Sequence, residues 1–252
     1  MDILASVIPS DLGPAAALGL LIASFFTSFM TVALGIGGGA LLLALMASVM
    51  PPAALIPVHG VIQLGSNLFR ALLLRAHLHC PPVMAFAIGA VVGVAIGGAI
   101  AVELPQGAVL VGVGAFVIFN VFTKPPAWLS RHGWISGTVS SFLTMFFGAT
   151  GPFVATYVKS LALDRQSHVA THATLMTLQH GLKIVTFGLL GFAFGPWLLF
   201  MAAMIATGFA GTVTGRLVLL RMTDKLFKRA LDILLILISL RLIWQGASQL
   251  IP

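Results

Sequence analysis

The chain is a series of apolar stretches separated by short polar or glycine-rich joints. The stretches run at 13–34, 40–50, 53–75, 82–102, 107–123, 133–149, 153–163, 166–190, 195–219 and 227–250. Most reach or approach the ~20 residues that carry a helix across a bilayer. Two do not: 40–50 and 153–163 hold eleven residues each, about 16 Å of helix at 1.5 Å per residue. Each short stretch follows a glycine-rich break, Gly35-Ile36-Gly37-Gly38-Gly39 in one case and Gly148-Ala149-Thr150-Gly151-Pro152 in the other. The pattern predicts an all-α integral membrane protein with about 8 full spans plus 2 half-spans.

The breaks lie 113 residues apart, and that offset organises the chain. It lays Ser28-Phe29-Met30-Thr31 on Ser141-Phe142-Leu143-Thr144, Gly35 on Gly148, Gly38 on Gly151, His59 on His172 and Arg70 on Lys183. We read a two-fold internal repeat: 1–124 is the first membrane repeat, 125–132 a cytoplasmic linker and 133–252 the second repeat. Five segments per repeat is an odd number, so the halves are expected to be inverted relative to each other.

Composition narrows the class. Apolar residues make up 59% of the chain and charged ones 8%, against about 25% charged in soluble domains. A soluble domain, a disordered tail and a disulfide scaffold are excluded. No basic segment precedes the first apolar stretch, so no cleaved signal is expected. The net charge of +7 marks cytoplasmic loops rather than a nucleic-acid partner. Starting the chain outside, with each short segment returning to the face it came from, puts Arg75, Lys124, Arg131, Lys159, Arg165, Arg216, Arg221, Lys225, Lys228 and Arg229 all inside. Only Arg70, Lys183 and Arg241 then remain within helices. Both termini are expected to be periplasmic.

Candidate chemistry falls in two places. Gly35 to Ala40 fits a dinucleotide fingerprint, but a long apolar helix precedes it instead of a strand, so that reading fails. The breaks read as unwound tips at membrane depth, where the next half-helix offers free N–H groups and a positive dipole end to an anion. The plain alternative is a tight packing turn. Gly35, Gly37, Gly38, Gly39, Thr150 and Gly151 are the candidate tip residues. The second place is a polar stripe on the helix that follows each tip. His59, Gln63, Ser66, Asn67 and Arg70 share one helical face, and the other half carries His172, Gln179, His180 and Lys183. Arg70 lies near its helix end and could snorkel to the interface. Lys183 lies deep in its span, where a cation costs at least ~2.5–3.5 kcal/mol, so it is expected to bind substrate more strongly than Arg70. The histidines could titrate with a coupled proton or act as neutral hydrogen-bonding groups.

The stretch Ala33-Leu34-Gly35-Ile36-Gly37-Gly38-Gly39-Ala40-Leu41-Leu42, repeated degenerately at Phe147-Gly148-Ala149-Thr150-Gly151-Pro152, resembles the TauE/SafE family of permeases. That resemblance implies a bacterial inner-membrane protein that moves sulfite, sulfoacetate or related organosulfur anions, often outward. Pro152 stands where the first half has Gly39, so the two tips need not bind alike. The expected function is secondary transport of a small sulfur-containing anion by alternating access; a passive anion channel is the alternative. No catalytic residue, metal or cofactor is expected. The partners are the anion and the lipid bilayer, with proton or cation coupling and a homodimer left open.

Overall fold

The computed structural model describes residues 7–34, 37–101, 104–218 and 224–250. Gly35, a candidate tip residue, lies outside them. Ten α-helices and no strand occur among the described residues. The first half contributes α1 (Pro14–Leu34), α2 (Gly38–Ala47), α3 (Pro52–Leu73), α4 (Pro81–Ala101) and α5 (Gln106–Phe122). The second contributes α6 (Gly133–Phe147), α7 (Gly151–Ser160), α8 (Arg165–Leu189), α9 (Leu198–Val218) and α10 (Asp224–Leu250).

The two short helices are ten residues each and begin two residues earlier than the apolar pattern indicates. The reason is local. Gly37 takes a φ of 110° and Gly148 one of 66°, a region that L side chains avoid. Each such glycine turns the chain, so the glycines that follow already belong to the new helix. Prolines mark other starts, with Pro52 opening α3 and Pro152 in the first turn of α7. Asp164 caps α8, its carboxylate accepting from the N–H groups of Gln166 at 2.9 Å and Ser167 at 3.1 Å.

The helices associate in pairs drawn from opposite halves. α1 packs on α9, α4 on α6, α5 on α10, and α3 on α8 at the centre. Glycines set the closeness of the outer pairs. A Cβ on Gly89 would run into the Trp134 carbonyl, one on Gly137 into the Phe86 carbonyl, and one on Gly211 into the Phe25 carbonyl. Gly107 and Gly246 face each other's backbone in the α5–α10 pair. In lipid, apolar side chains gain little by leaving their surroundings, so close backbone packing of this kind holds helices together.

Burial is distributed as a bilayer requires. Large apolar side chains point outward from α1, α4, α9 and α10; Met84, Leu198 and Trp244 are exposed. Among the described residues, four helices are long and apolar enough to cross a membrane: Pro14–Thr31, Pro81–Ala101, Gly195–Gly215 and Leu231–Leu250. These contribute the exposed apolar faces. α3 and α8 are of comparable length, but polar stripes dilute their apolar character; His59, Gln179 and Lys183 are buried on them, while Leu72, Leu73, Val185 and Leu189 remain exposed. α2 is interior, its Leu42, Leu43 and Met46 packed with Leu55 and Val58 of α3.

Candidate functional site

The two glycine tips meet at one cavity. It contains about 550 Å³ of empty space, counting its open mouth, and is lined by the starts of α2 and α7 and by one face each of α3 and α8. Of the candidate residues, Gly37, Gly39, Gln63, Asn67, Arg70, Gly151 and His172 line it. Gly148, Ala149 and Pro152, which belong to the second glycine-rich break but not to the candidate set, line it too, as do Thr31, Ala40 and Met176. The 113-residue offset could have found some of these: it pairs Gly148 with Gly35 and Met176 with Gln63.

The tips present different donors. In a helix that starts at Gly38, the N–H groups of Gly38, Gly39 and Ala40 belong to the first turn, which a helix's own ladder leaves unpaired. Among the described residues, the first ladder bond of α2 runs from the N–H of Leu41 to the Gly37 carbonyl at 3.0 Å. At α7, Pro152 has no N–H, and that of Phe153 bonds to the Thr150 carbonyl at 3.0 Å. The α2 start is therefore the richer anion-facing end, with partial positive charge from its dipole.

A histidine braces each tip. His59 Nε2 lies 3.1 Å from the Gly39 carbonyl oxygen and His172 Nε2 lies 3.3 Å from that of Gly151. A carbonyl only accepts, so both contacts require a proton on Nε2. The stripe on α3 is knitted together as well. Asn67 donates to the Gln63 carbonyl at 2.7 Å, and Arg70 reaches the Ser66 hydroxyl at 3.3 Å and Asn67 Oδ1 at 3.4 Å. Ser66 thus holds Arg70 from behind and does not itself line the cavity.

The remaining candidates sit elsewhere. Gly38 is buried against α1, where a Cβ would strike the Thr27 carbonyl and the Thr31 hydroxyl; it serves packing. Thr150 and Gln179 are buried and bonded to each other, Gln179 Nε2 donating to Thr150 Oγ1 at 2.7 Å. His59, His180 and Lys183 form a layer at the α3–α8 crossing, beyond the cavity. All three are fully buried. His59 Nδ1, both His180 ring nitrogens and Lys183 Nζ have no hydrogen-bond partner among the described residues. The cavity wall therefore holds Arg70, while Lys183, the cation expected to bind more strongly, lies behind it. Helical periodicity places both on polar faces; which face opens to the cavity depends on how α3 and α8 cross.

Comparison with known proteins adds one finding. Residues 20–242 match the family described as Sulfite exporter TauE/SafE. The chain belongs to the TauE/SafE family. The match covers both glycine tips and nine of the ten helices in full or nearly so, with α10 included as far as residue 242. It makes the chain a multi-pass membrane protein of a transporter family. No curated protein and no solved structure matches the chain. The TauE/SafE assignment thus rests on the whole helical frame, and the cavity gives that frame a candidate transport site.

Proposed function

We propose that this TauE/SafE protein exports a small sulfur-containing anion, such as sulfite or sulfoacetate, across the bacterial inner membrane by alternating access. The observation that carries the proposal is the cavity wall. It combines the first-turn backbone of α2 at Gly39 and Ala40, where N–H groups lie outside the helix's own ladder, with Arg70, Gln63, Asn67 and His172. The chain's acids are Asp2, Asp11, Glu103, Asp164, Asp224 and Asp232, and none of them falls in α2, α3, α6, α7 or α8. A site rich in donors and free of carboxylates suits an oxyanion.

Two inverted five-segment repeats are the mechanical part of this reading. Helix starts support it: α2 and α7 begin 113 residues apart, and so do α3 and α8. Packing supports it too. Exchanging the halves turns the α1–α9 pair into α6–α4 and leaves the α3–α8 and α5–α10 pairs unchanged. Ten helices read this way give eight crossings and two half-crossings, with both termini periplasmic. The buried layer of His59, Gln179, His180 and Lys183 closes the far end of the cavity, which favours alternating access over a continuous channel.

Direction follows from electrostatics. An inside-negative membrane potential drives anions out by ~2.3 kcal/mol per charge per 100 mV. A dianion gains twice that, so export needs no coupled ion. The test is sulfite efflux from proteoliposomes holding the purified full chain, with and without an imposed inside-negative potential. Saturable efflux accelerated by the potential is expected. Efflux that rises linearly with concentration would indicate a channel, and none at all would remove sulfite as the cargo.

A further inference from the structure

The 113-residue offset makes the cavity wall asymmetric in an informative way. Besides Thr31 of α1, four polar side chains line it, all from the two central helices: Gln63, Asn67 and Arg70 from α3, and His172 from α8. Their mates in the other half are Met176, His180, Lys183 and His59. Met176 lines the same cavity. The other three are fully buried, and each keeps at least one nitrogen without a partner among the described residues, as Arg70 does at Nε. Asn67, Arg70 and His172 thus line the cavity, while their repeat mates His180, Lys183 and His59 are shut away.

Arg70 and Lys183 each stand eighteen residues beyond the first residue of their helices, Pro52 and Arg165. If the halves are inverted, these two cations guard opposite faces of the membrane. Shutting is achieved at the α3–α8 crossing. The Lys183 stem lies against Gly60, where a Cβ would come within 2.6 Å of Cε and 3.3 Å of Nζ. The rings of His59 and His180 stand edge to face with centroids 6.5 Å apart. His59 also braces the Gly39 tip, so the layer and the cavity share a wall.

We propose that His59, His180 and Lys183 form a second anion station, closed in this conformation, which opens to the opposite face when α3 and α8 part. The proposal rests on the repeat reading given above. Its physical basis is the missing counterion. A buried ammonium normally has a carboxylate partner, and the chain has no acid within α3, α8 or the helices that flank their crossing near Lys183, α4 and α6. The histidines face it with nitrogens that are themselves unsatisfied, and Gln179 is already engaged with Thr150. The transported anion can supply the negative charge that these helices lack. In the opened station it meets Lys183 Nζ and His180, as in the cavity it meets Arg70 and Asn67. The anion stabilises the open form of each station in turn, and that differential affinity drives the exchange.

Lys183→Met tests this, since it keeps the stem and removes the charge. Without any anion, the variant should melt no lower than the wild type, because the cation it deletes has no partner to lose. Sulfite binding to the detergent-purified full chain should persist, while flux in proteoliposomes falls by roughly tenfold or more. A second probe is Gly181→Cys in a Cys80→Ser background, since a Cβ at 181 comes no closer than 4.0 Å to Leu64. Its thiol should react with an impermeant reagent from the face opposite Arg70 during turnover. A lower melting temperature, unchanged flux, or reaction only from the Arg70 face would each overturn the station. The melting comparison uses no substrate, so it decides the point even where sulfite proves not to be the cargo. Sulfite binding that survives Arg70→Gln counts instead against the cavity reading.

Discussion

Gln179 Nε2 donates to Thr150 Oγ1 at 2.7 Å, and both side chains are fully buried. Thr150 is the residue before the first turn of α7, a position whose side chain usually caps its own helix. Here it makes no such cap. Its hydroxyl instead fastens the tip to α8, and Gln179 Oε1 takes a further, longer contact of 3.4 Å from the Ser141 hydroxyl of α6. Thr150→Val keeps the shape and leaves a buried amide short of one acceptor. A loss of about 1–3 kcal/mol is expected, read as a lower melting temperature in detergent. An unchanged melting point would mean that water replaces the hydroxyl.

The two tip glycines should respond in opposite ways. A Cβ at Gly38 collides with the Thr27 backbone, so Gly38→Ala must push α1 and α2 apart. Overpacking of this kind costs about 1–3 kcal/mol, and reduced yield and stability are expected. At Gly151 the nearest atom to an added Cβ is Met176 Cε at 4.0 Å. Gly151→Ala should therefore fold normally and act only on anion affinity. Equal stability of the two variants would contradict this division.

These variants also indicate what the sequence makes legible. Helix boundaries, the short helices and the tips follow from apolar periodicity and glycine, because each is a local property of the chain. The cavity is not local. Gly38 and Gly39 are adjacent and chemically identical, yet one packs on α1 and the other faces the cavity. Arg70 and Lys183 are repeat mates on similar stripes, yet only Arg70 reaches the wall. A repeat in sequence fixes which residues correspond and leaves open which of the two conformations each half adopts. Met176 is missed for a related reason: an apolar residue is visible as a site member only through its mate, Gln63.

Topology can be tested on the native chain. Cys80 is exposed in the loop before α4, on the face to which the cation distribution assigns the cytoplasm. An impermeant maleimide should label it in inside-out vesicles and leave it untouched in intact spheroplasts. Labelling from the periplasmic side would reverse the orientation and, with it, the side to which the Arg70 cavity opens.

At the start of α8, Asp164 offers a pH signature. Hydrogen bonds from Ser167, through its side chain and its N–H, hold the carboxyl below its usual range, helped by the Gln166 N–H. The sign follows from linkage: a depressed folded value contributes stability above the ordinary carboxylate pKa and loses it as pH falls through the folded one. Hydrogen exchange in the first turn of α8 should therefore quicken relative to the rest of the helix in acid, and Asp164→Asn should remove that difference. A pH-independent first turn would mean that the cap is not ionised.

Arg70 should govern how the cavity distinguishes anions by charge. An oxyanion brought to this depth loses water, and helix N-termini restore only about half a unit of positive charge each. The α7 start is weakened further by Pro152, which has no N–H. A dianion therefore needs a full cation at the wall, and among the lining residues that cation is Arg70. At an effective dielectric constant near 20, one charge pair at 4 Å is worth about 4 kcal/mol; the open mouth and the longer reach of the side chain reduce that figure. Arg70→Gln should weaken sulfite binding by roughly tenfold or more, and that of a monoanion of similar size by distinctly less, since the lost term scales with ligand charge. Arg70→Lys restores the charge without the planar fork. It should recover most of the dianion preference but not the full affinity. Isothermal titration of the purified protein with sulfite and with a monoanion such as nitrite measures both. Equal losses for the two ligands in Arg70→Gln would show that the guanidinium shapes the cavity through Ser66 and Asn67 and does not pair with the anion.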